Sequence, residues 1–474
     1  MATTTQHRTT TQRPLGQHAI VIGGSIAGLL AARVLADHFG RVTVIERDQL
    51  PDTPEQRKGA PQARHSHQLL VRGAQVLEEL LPGIGAELRA AGALSIDCFN
   101  ELLLATGVGE PLRLPPGPRT FACSRPLLEW AIRRRVTALP QVEVLSGAEV
   151  TGLIDRPDRA GVAGVYVRLR SSSVAPAMLR GDLVVDAGGK TSRAPQWLVA
   201  LGYPEPEQTT INPHAGYASR MYTLPDGHNT DWKMLFVPAR PPISNRSGML
   251  MQLEHGRMLV TLASSGDDLP STDEEDFLAF ARSLPHPGIA DLIGQSQPLG
   301  PISGYQRMEN QLRHYDRMER WPEGFVALGD AVCAFNPIFG QGMTVAALGA
   351  QTLDQCLRRQ RGQNVEGLAR GFQRALAKVV AMPWLSATSA EQAPAEAPQR
   401  RPSAPARLMQ RYMQTLLSMM FEDAEIFATM VQVSHMITSP LALYRPALLA
   451  KVWRRWRQER RVTPRTPQVG GLEA

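Results

Sequence analysis

The amino-acid sequence predicts an α/β fold: a Rossmann-type dinucleotide-binding domain that carries an inserted antiparallel β-sheet domain and runs into a C-terminal helical region. Three observations predict it. Near the N-terminus a short apolar run, a glycine-rich turn, a helical stretch and a second apolar run follow in order. Far downstream, another apolar run leads into Gly329-Asp330-Ala331 and then Pro337-Ile338-Phe339-Gly340-Gln341-Gly342. Between them, residues 205–315 break into short strand-like segments, and beyond residue 407 the apolar spacing becomes helical.

The first run, His18-Ala19-Ile20-Val21-Ile22, reads as a buried parallel strand, residues 26–37 as a helix and Val42-Thr43-Val44-Ile45 as the next strand. The turn Gly23-Gly24-Ser25-Ile26-Ala27-Gly28 must let backbone N–H groups approach a pyrophosphate at the helix N-terminus. Small residues permit that approach, and the helix dipole favours the anion. Ser25 replaces the second glycine of the usual G-x-G-x-x-G pattern and is small enough to keep it. Glu46 ends the second strand, where a carboxylate accepts both ribose hydroxyls. Strand, helix, strand and terminal acid in register place a dinucleotide on Gly23, Ser25, Ile26, Ala27, Gly28, Glu46 and the adjacent Arg47.

Residues 17–95, 121–204 and 316–390 are assigned to this discontinuous domain. Within them Leu183-Val184-Val185 is a strand leading to Asp186, and Arg133-Arg134-Arg135 reads as a solvated helix face. Residues 96–120 and 205–315 form the inserted substrate-binding domain. Its strand-like segments are 215–223, 233–237, 249–254 and 258–263, the last two joined by a turn at His255-Gly256.

The downstream signature decides which dinucleotide binds. Phe325-Val326-Ala327-Leu328 is a strand with Gly329-Asp330 at its end, and an Asp there holds a ribityl chain, which flavins have and nicotinamides lack. The cofactor read from this pattern is FAD. Asn336-Pro337 and Gly340-Gln341-Gly342 form a loop opening a helix that starts near Met343. Glycines let the loop lie against a flat ring, and the helix N-terminus offers positive potential to a reduced, anionic flavin. Pro337, Gly340, Gln341 and Gly342 are therefore catalytic candidates, with Asp330, Gly340, Gly342 and Met343 on the cofactor.

Residues 391–407, rich in Ala, Pro, Gln and Arg, read as a loop or linker, and 408–474 as helical. Residues 408–435 space Met413, Leu416, Leu417, Met420, Ile426 and Met430 as on a helix. This Met-rich stripe reads as core, with the wall of an apolar substrate tunnel as the alternative. Residues 447–461 combine Leu448, Leu449, Val452, Trp453 and Trp456 with Lys451, Arg454, Arg455, Arg457, Arg460 and Arg461. They read as a terminal helix packing on its own domain; weak contact with an anionic membrane surface or docking on an acidic carrier protein are the alternatives.

Composition excludes several classes. A chain of 474 residues, 43% of them hydrophobic, buries a large core. Cys98, Cys123, Cys333 and Cys356 have neither metal-ligand nor disulfide spacing, so a reducing, cytoplasmic setting and no metal are expected. No apolar run reaches transmembrane length and no signal-peptide core follows Met1. The +7 net charge is carried by dispersed arginines without a nucleic-acid motif, so no nucleic-acid partner is expected. Residues 1–16 are Thr-rich and polar and read as a disordered tail.

Four segments resemble the FAD-dependent aromatic-hydroxylase-like monooxygenases, and within them the bacterial squalene-epoxidase-like enzymes that epoxidise polyketide chains in polyether biosynthesis. They are Arg57-Lys58-Gly59-Ala60-Pro61-Gln62-Ala63-Arg64-His65-Ser66-His67, Ser124-Arg125-Pro126-Leu127-Leu128-Glu129-Trp130, Asp186-Ala187-Gly188-Gly189-Lys190-Thr191-Ser192 and residues 329–343. The resemblance covers about residues 17–390 and is specific for the class more than for the substrate. It implies a glutathione-reductase-like cofactor domain and an inserted sheet with one face over the flavin. It also implies that Arg125 reaches the FAD pyrophosphate, as a guanidinium fork suits, and that the Lys58–His67 loop lies near the flavin. His65 and His67 thereby become catalytic candidates, read first as structural hydrogen-bonders. Asp186 and Gly188 stand in the motif that in most such hydroxylases carries an Asp-Gly pair for FAD and NAD(P)H. Here that pair is Gly188-Gly189, which leaves direct NAD(P)H reduction and a separate flavin reductase both open.

The chemistry implied is oxygenation: reduced FAD takes up O2 as a hydroperoxide, which passes one oxygen atom to an electron-rich double bond of an apolar polyketide- or terpenoid-like small molecule, free or carrier-bound. The protein keeps the site dry, orients the alkene and stabilises charge. Aromatic or aliphatic hydroxylation is the alternative in the same class, and a flavin-dependent prenyl-chain reductase the alternative in another. A halogenase of the same fold needs a Trp-x-Trp-x-Ile-Pro-type motif and a tunnel lysine, and the tryptophans here include no such pair.

Overall fold

The computed structural model describes residues 14–105, 112, 114–171, 174–241, 243–306, 308–337, 340–360, 365–389 and 403–462. The apolar runs near the N-terminus lack a polar face, so their strands require cover on both sides. They form β1 (Gly16–Ile22) and β2 (Phe39–Glu46), joined by α1 (Ile26–Leu35), at the centre of a five-stranded parallel sheet. Leu183–Asp186 and Phe325–Ala327 extend the sheet beside β1, and Val142–Ser146 beside β2. Ile20, Val44, Val184 and Val326 are fully buried within it. One face is covered by α1 and the helices Gly342–Arg359 and Leu368–Ser389; the antiparallel strands Ala148–Asp155, Val162–Leu169 and Ala177–Arg180 cover the other.

The inserted sheet runs Pro298–Tyr305, Ala215–Thr223, Arg257–Ser265, Ser247–Leu253, Met234–Val237 and Leu102–Leu104 in spatial order. Its period of two separates its faces. Ala218, Leu235, Leu250, Val260 and Leu262 pack against Phe277, Phe280, Ile289 and Ile293 of two backing helices. The alternate positions Tyr217, Ser219, Met249 and Thr261 are left for the opposite face. The sheet departs from the expected all-antiparallel pattern at one edge, where Leu102–Leu104 pairs parallel to Met234–Val237. The Pro298–Tyr305 strand was not legible, because glycine and proline dilute its apolar pattern.

The C-terminal helices Ala404–Met419, Ala424–Ser434 and Pro446–Val462 make their own core against Phe99 and Leu104. His435 fastens them to the cofactor domain. Its Nδ1 accepts the Val71 N–H at 3.3 Å and its carbonyl accepts the Arg72 N–H at 3.2 Å, capping the helix Val71–Leu80, whose own N-cap Leu70 has no side-chain acceptor.

Several expectations change. The N-terminal tail is shorter than read, since Leu15 donates to His38 and Gly16 already pairs with Phe39; residues 1–13 lie outside the described residues. Residues 390–402, which take in most of the linker, and 463–474 of the terminus also lie outside them. The first C-terminal helix starts at Ala404, inside the segment read as linker, because Ser403 caps it and Pro405 fits its first turn. The Met-rich stripe is core: Leu416 and Met420 are buried, although Leu417 faces solvent. Arg133 is buried and donates to the Pro51 carbonyl, because helical geometry puts residues 125, 129 and 133 on one inward face; only Arg134 and Arg135 are surface cations, both paired with Glu87. On the terminal helix Leu448 and Val452 pack inward, and two of its six named cations, Lys451 and Arg455, are paired with Asp423, Glu425 and Glu422. No described helix is long and apolar enough to cross a membrane.

Candidate functional site

At the carboxyl ends of the central strands lies a cleft of about 330 Å³, where segments distant in sequence meet. The turn after β1 forms its floor. Gly23 has φ of +100°, and a Cβ there would lie 2.5 Å from the Ala187 carbonyl oxygen. A Cβ on Gly28 would lie 1.8 Å from the Gly23 carbonyl oxygen, so this glycine sets how closely α1 approaches the turn and does not itself line the cleft. Gly23, Ser25, Ile26 and Ala27 line it, as do Glu46 and, at an exposed position, Arg47.

A buried charge cluster organises the end near Glu46. The Glu46 carboxylate accepts the Gly24 N–H at 2.7 Å and the Asp48 N–H at 2.9 Å, which fixes the turn to β2 and still leaves lone pairs for ribose hydroxyls. Arg57 reaches Glu129 at 2.8 Å, Asp48 at 3.1 Å and Glu46 at 3.4 Å. Glu129 also accepts from Ser25 Oγ at 2.7 Å, and Arg125 donates to that hydroxyl at 3.1 Å. Ser25 is thus a tie between the turn and the helix Arg125–Thr137 as well as a small residue. Burial opposes the charged form of Glu129, but Arg125 and Arg57 outweigh it and hold its carboxyl below the usual range. Arg125 Nε is buried without a partner, a donor suited to a pyrophosphate oxygen.

The other end is built by the downstream motif. Asp330, Asn336, Pro337, Gly340, Gly342 and Met343 line it, with Gly342 opening the helix Gly342–Arg359 toward the cleft. Asp330 is exposed where it lines the cleft, and desolvation by the surrounding protein raises its carboxyl pKa against the opposing Arg125 and Lys190. Gln341 lies just off the cleft with its Oε1 buried and unpartnered. Asp186 lines the cleft but spends its carboxylate on the loop, accepting the Gly188 N–H at 2.9 Å and the Ser192 hydroxyl; burial raises its pKa. Gly188 lines the cleft beside it.

The two histidines divide. His67 lines the cleft and bonds the His65 carbonyl, and burial followed by the Arg125 charge pushes its pKa down to about 3. His65 lines a second chamber of about 60 Å³ between loop and inserted sheet, which shares Ser66, Gln68, Pro337 and Gly340 with the cleft. Its Nδ1 meets Ser219 Oγ at 2.9 Å, and Ser219, Thr261 and Ser66 continue the hydroxyl chain. Burial, then the Arg64 charge, pushes its pKa down to about 4. Both rings are therefore neutral at pH 7, held as hydrogen-bonders.

Like Gly28, Lys58 does not line the cleft, and here the fold turns the side chain away: it is exposed, while its neighbour Arg57 faces the cleft. The irregular loop fixes which of two adjacent cations points inward, and no periodic signal reports that. Gln68, Arg57, Glu129 and the chamber residues Tyr217, Met249 and Thr261 were missed, the last three recoverable from strand alternation once the register is known. The residues present fit FAD: a small-residue turn at a helix start, a strand-end acid, an orphaned Arg125 donor and a glycine loop for a flat ring. Among the described residues no His, Cys, Asp or Glu cluster could hold a metal ion.

Comparison with known proteins agrees with this geometry. A family profile described as "FAD binding domain" matches residues 17–368. Protein Rv3254 of Mycobacterium tuberculosis is 36% identical over 375 residues, covering 78% of each chain. Among solved structures, the flavin-dependent brominase Bmp2 superposes with a TM-score of 0.63 at 14% identity, over 94% of this chain and 100% of that one. PqsL, a probable FAD-dependent monooxygenase from Pseudomonas aeruginosa, gives 0.56 at 18% identity, over 87% and 99%. At such identities these two structures speak for the fold alone.

Proposed function

The chain belongs to the FAD-binding-domain family of aromatic-hydroxylase-like flavin monooxygenases, and from that premise we propose that it epoxidises a carbon–carbon double bond of an apolar polyketide- or terpenoid-like molecule in secondary metabolism. FAD, when bound, supplies the redox chemistry that activates O2, with NAD(P)H as reductant directly or through a separate flavin reductase. The chain's residues do the rest. Glu46 and Arg125 hold the ribose and pyrophosphate, and Asp330 the ribityl chain. The start of the helix Gly342–Arg359 offers positive potential to the reduced ring. The sheet face keeps the reacting carbons out of water.

The observation that carries this reading is the absence of a working base in the chamber. Its described lining contains no carboxylate and no lysine, and His65 has a pKa near 4. Deprotonating a phenol of pKa about 10 onto such an imidazole is uphill by about six pKa units, or roughly 8 kcal/mol. An alkene loses no proton on epoxidation, so the chamber suits it better than a phenol. The described lining of neither cavity includes a lysine, which weighs in the same way against halogenation.

The test is oxygen reactivity. Protein loaded with FAD, reduced chemically without air and mixed with oxygenated buffer should give a near-ultraviolet transient distinct from reduced and oxidised flavin. Candidate alkenes should then turn over only with O2. Turnover without oxygen would replace the proposal by the prenyl-chain reductase reading.

A further inference from the structure

The chamber beside the flavin cleft contains a feature that epoxidation does not require. Tyr217 lines it and is only 3% exposed, and its hydroxyl is buried without a hydrogen-bond partner. Tyr315 is as deeply buried with an equally unpartnered hydroxyl, but it lines neither the cleft nor the chamber. The Tyr217 ring is fixed on both sides. It stacks on Tyr305 at 5.3 Å and meets the His65 ring edge-on at 4.5 Å. A buried donor left unpaired costs free energy that a ligand oxygen would recover.

Among the other polar groups of the wall, Ser247 donates to the Ala263 carbonyl, and the Gln68 amide nitrogen, at the edge shared with the cofactor cleft, is a second buried donor without a partner. Ser219, Thr261, Ser66 and His65 bond one another in a chain. Phe236, Met249 and Ala263 supply apolar surface. With no charged side chain in the described lining, an ionised ligand would be desolvated without compensation.

We propose that Tyr217 is a specificity residue: its hydroxyl donates a hydrogen bond to an uncharged oxygen of the substrate, a ketone or ester carbonyl, in a chamber that admits neutral oxygen-bearing molecules and rejects carboxylates. Burial followed by the neighbouring Tyr305 raises the Tyr217 pKa, so this phenol acts as donor and not as base. The inference rests on the flavin reading, because the chamber opens through residues shared with the cofactor cleft.

The test uses three probes of similar size on the FAD-loaded, oxidised protein: acetophenone, α-methylstyrene, which replaces the carbonyl by an alkene, and benzoate. Binding is followed by the flavin difference spectrum and by calorimetry, on wild type and on Tyr217→Phe, which keeps the stacked ring. Acetophenone should bind roughly three- to tenfold more tightly than α-methylstyrene, with benzoate weakest. Tyr217→Phe should erase the acetophenone advantage while leaving FAD content and α-methylstyrene affinity unchanged. Equal binding of the two neutral probes to wild type would overturn the proposal. So would an advantage that survives Tyr217→Phe, a preference for benzoate, or no binding of any probe. No reductant or turnover is involved, so failure here leaves the oxygen-reactivity test of epoxidation standing, and failure there leaves this one.

Discussion

Replacing Arg57 by methionine should destabilise the protein by about 3–5 kcal/mol, the cost of leaving a buried charge without its partner. The figure follows from the cluster. The Arg57 side chain is 7% exposed and faces Glu46, Asp48 and Glu129, themselves 6%, 9% and 6% exposed. Without it, Arg125 and the more distant Arg133 charge remain to offset Glu129, and of the three carboxylates Arg125 contacts only that one. The deficit should depend on pH. In the native protein Glu129 has a depressed pKa, so its contribution is present above the unfolded value and is lost as pH falls through the folded one. In the variant, burial would dominate and raise the carboxylate pKa values, giving stability that is full at low pH and lost as pH rises. Both trends narrow the gap between the two proteins at acid pH. Urea unfolding of the apoprotein at pH 7 and pH 5 measures it, with FAD titration alongside, since Glu46 also holds the Gly24 turn. Arg57→Lys, which keeps the charge and loses the fork, should fall between. A deficit below about 1 kcal/mol, or one equal at the two pH values, would refute the reasoning.

Three further outcomes are expected. Gly28→Ala should abolish FAD retention, because its Cβ would lie 1.8 Å from the Gly23 carbonyl oxygen; a purified variant with full FAD content would contradict this. Arg125→Ala should weaken FAD binding by about tenfold or more, while Lys58→Ala, at an exposed position off the cleft, should leave the titration curve unmoved. Burial holds the His435 pKa at about 4, below the unfolded value of about 6.5. The unfolded chain takes up the proton first, so between those pH values stability falls by about 1.4 kcal/mol per unit of acidification. His435→Leu should remove that part of the slope in chemical unfolding measured from pH 7 to 4.5, and an unchanged slope would count against it.

The parts of the site that were legible are those whose demands are local. Gly23 needs a backbone conformation that side chains disfavour, Gly28 needs empty space, and Glu46 needs only to end a strand; each requirement acts within one strand–turn–helix unit and leaves a mark in adjacent residues. Asp330 and the loop that ends at Gly342 are legible for the same reason. The charge cluster is not local. Arg57 comes from a loop, Glu129 from the middle of a helix and Asp48 from just beyond β2, and nothing in any one segment announces their meeting. Arg133 shows a partial exception: its spacing from Arg125 and Glu129 puts all three on one helix face, so a stripe was present in the run of arginines before the fold was known.

The substrate chamber marks a deeper division. Its wall is drawn from four strands, and the pairing of three of them sets Tyr217 opposite Ala263, Ser219 opposite Thr261 and Met249 opposite Thr261. A slip of one residue in any strand would send those side chains to the helix-covered face and bring Ala218 or Leu262 into the chamber. Cofactor binding depends on short motifs, which tolerate such changes elsewhere, whereas the chamber depends on register across distant strands. Two chains can therefore keep the cofactor turn and loop intact and still present different chambers to their substrates. It follows that substitutions at Tyr217 or Thr261 should change which molecule is bound while FAD content stays constant, and that substitutions at Gly28 or Arg125 should reduce FAD content first, with the loss of ligand binding following from it.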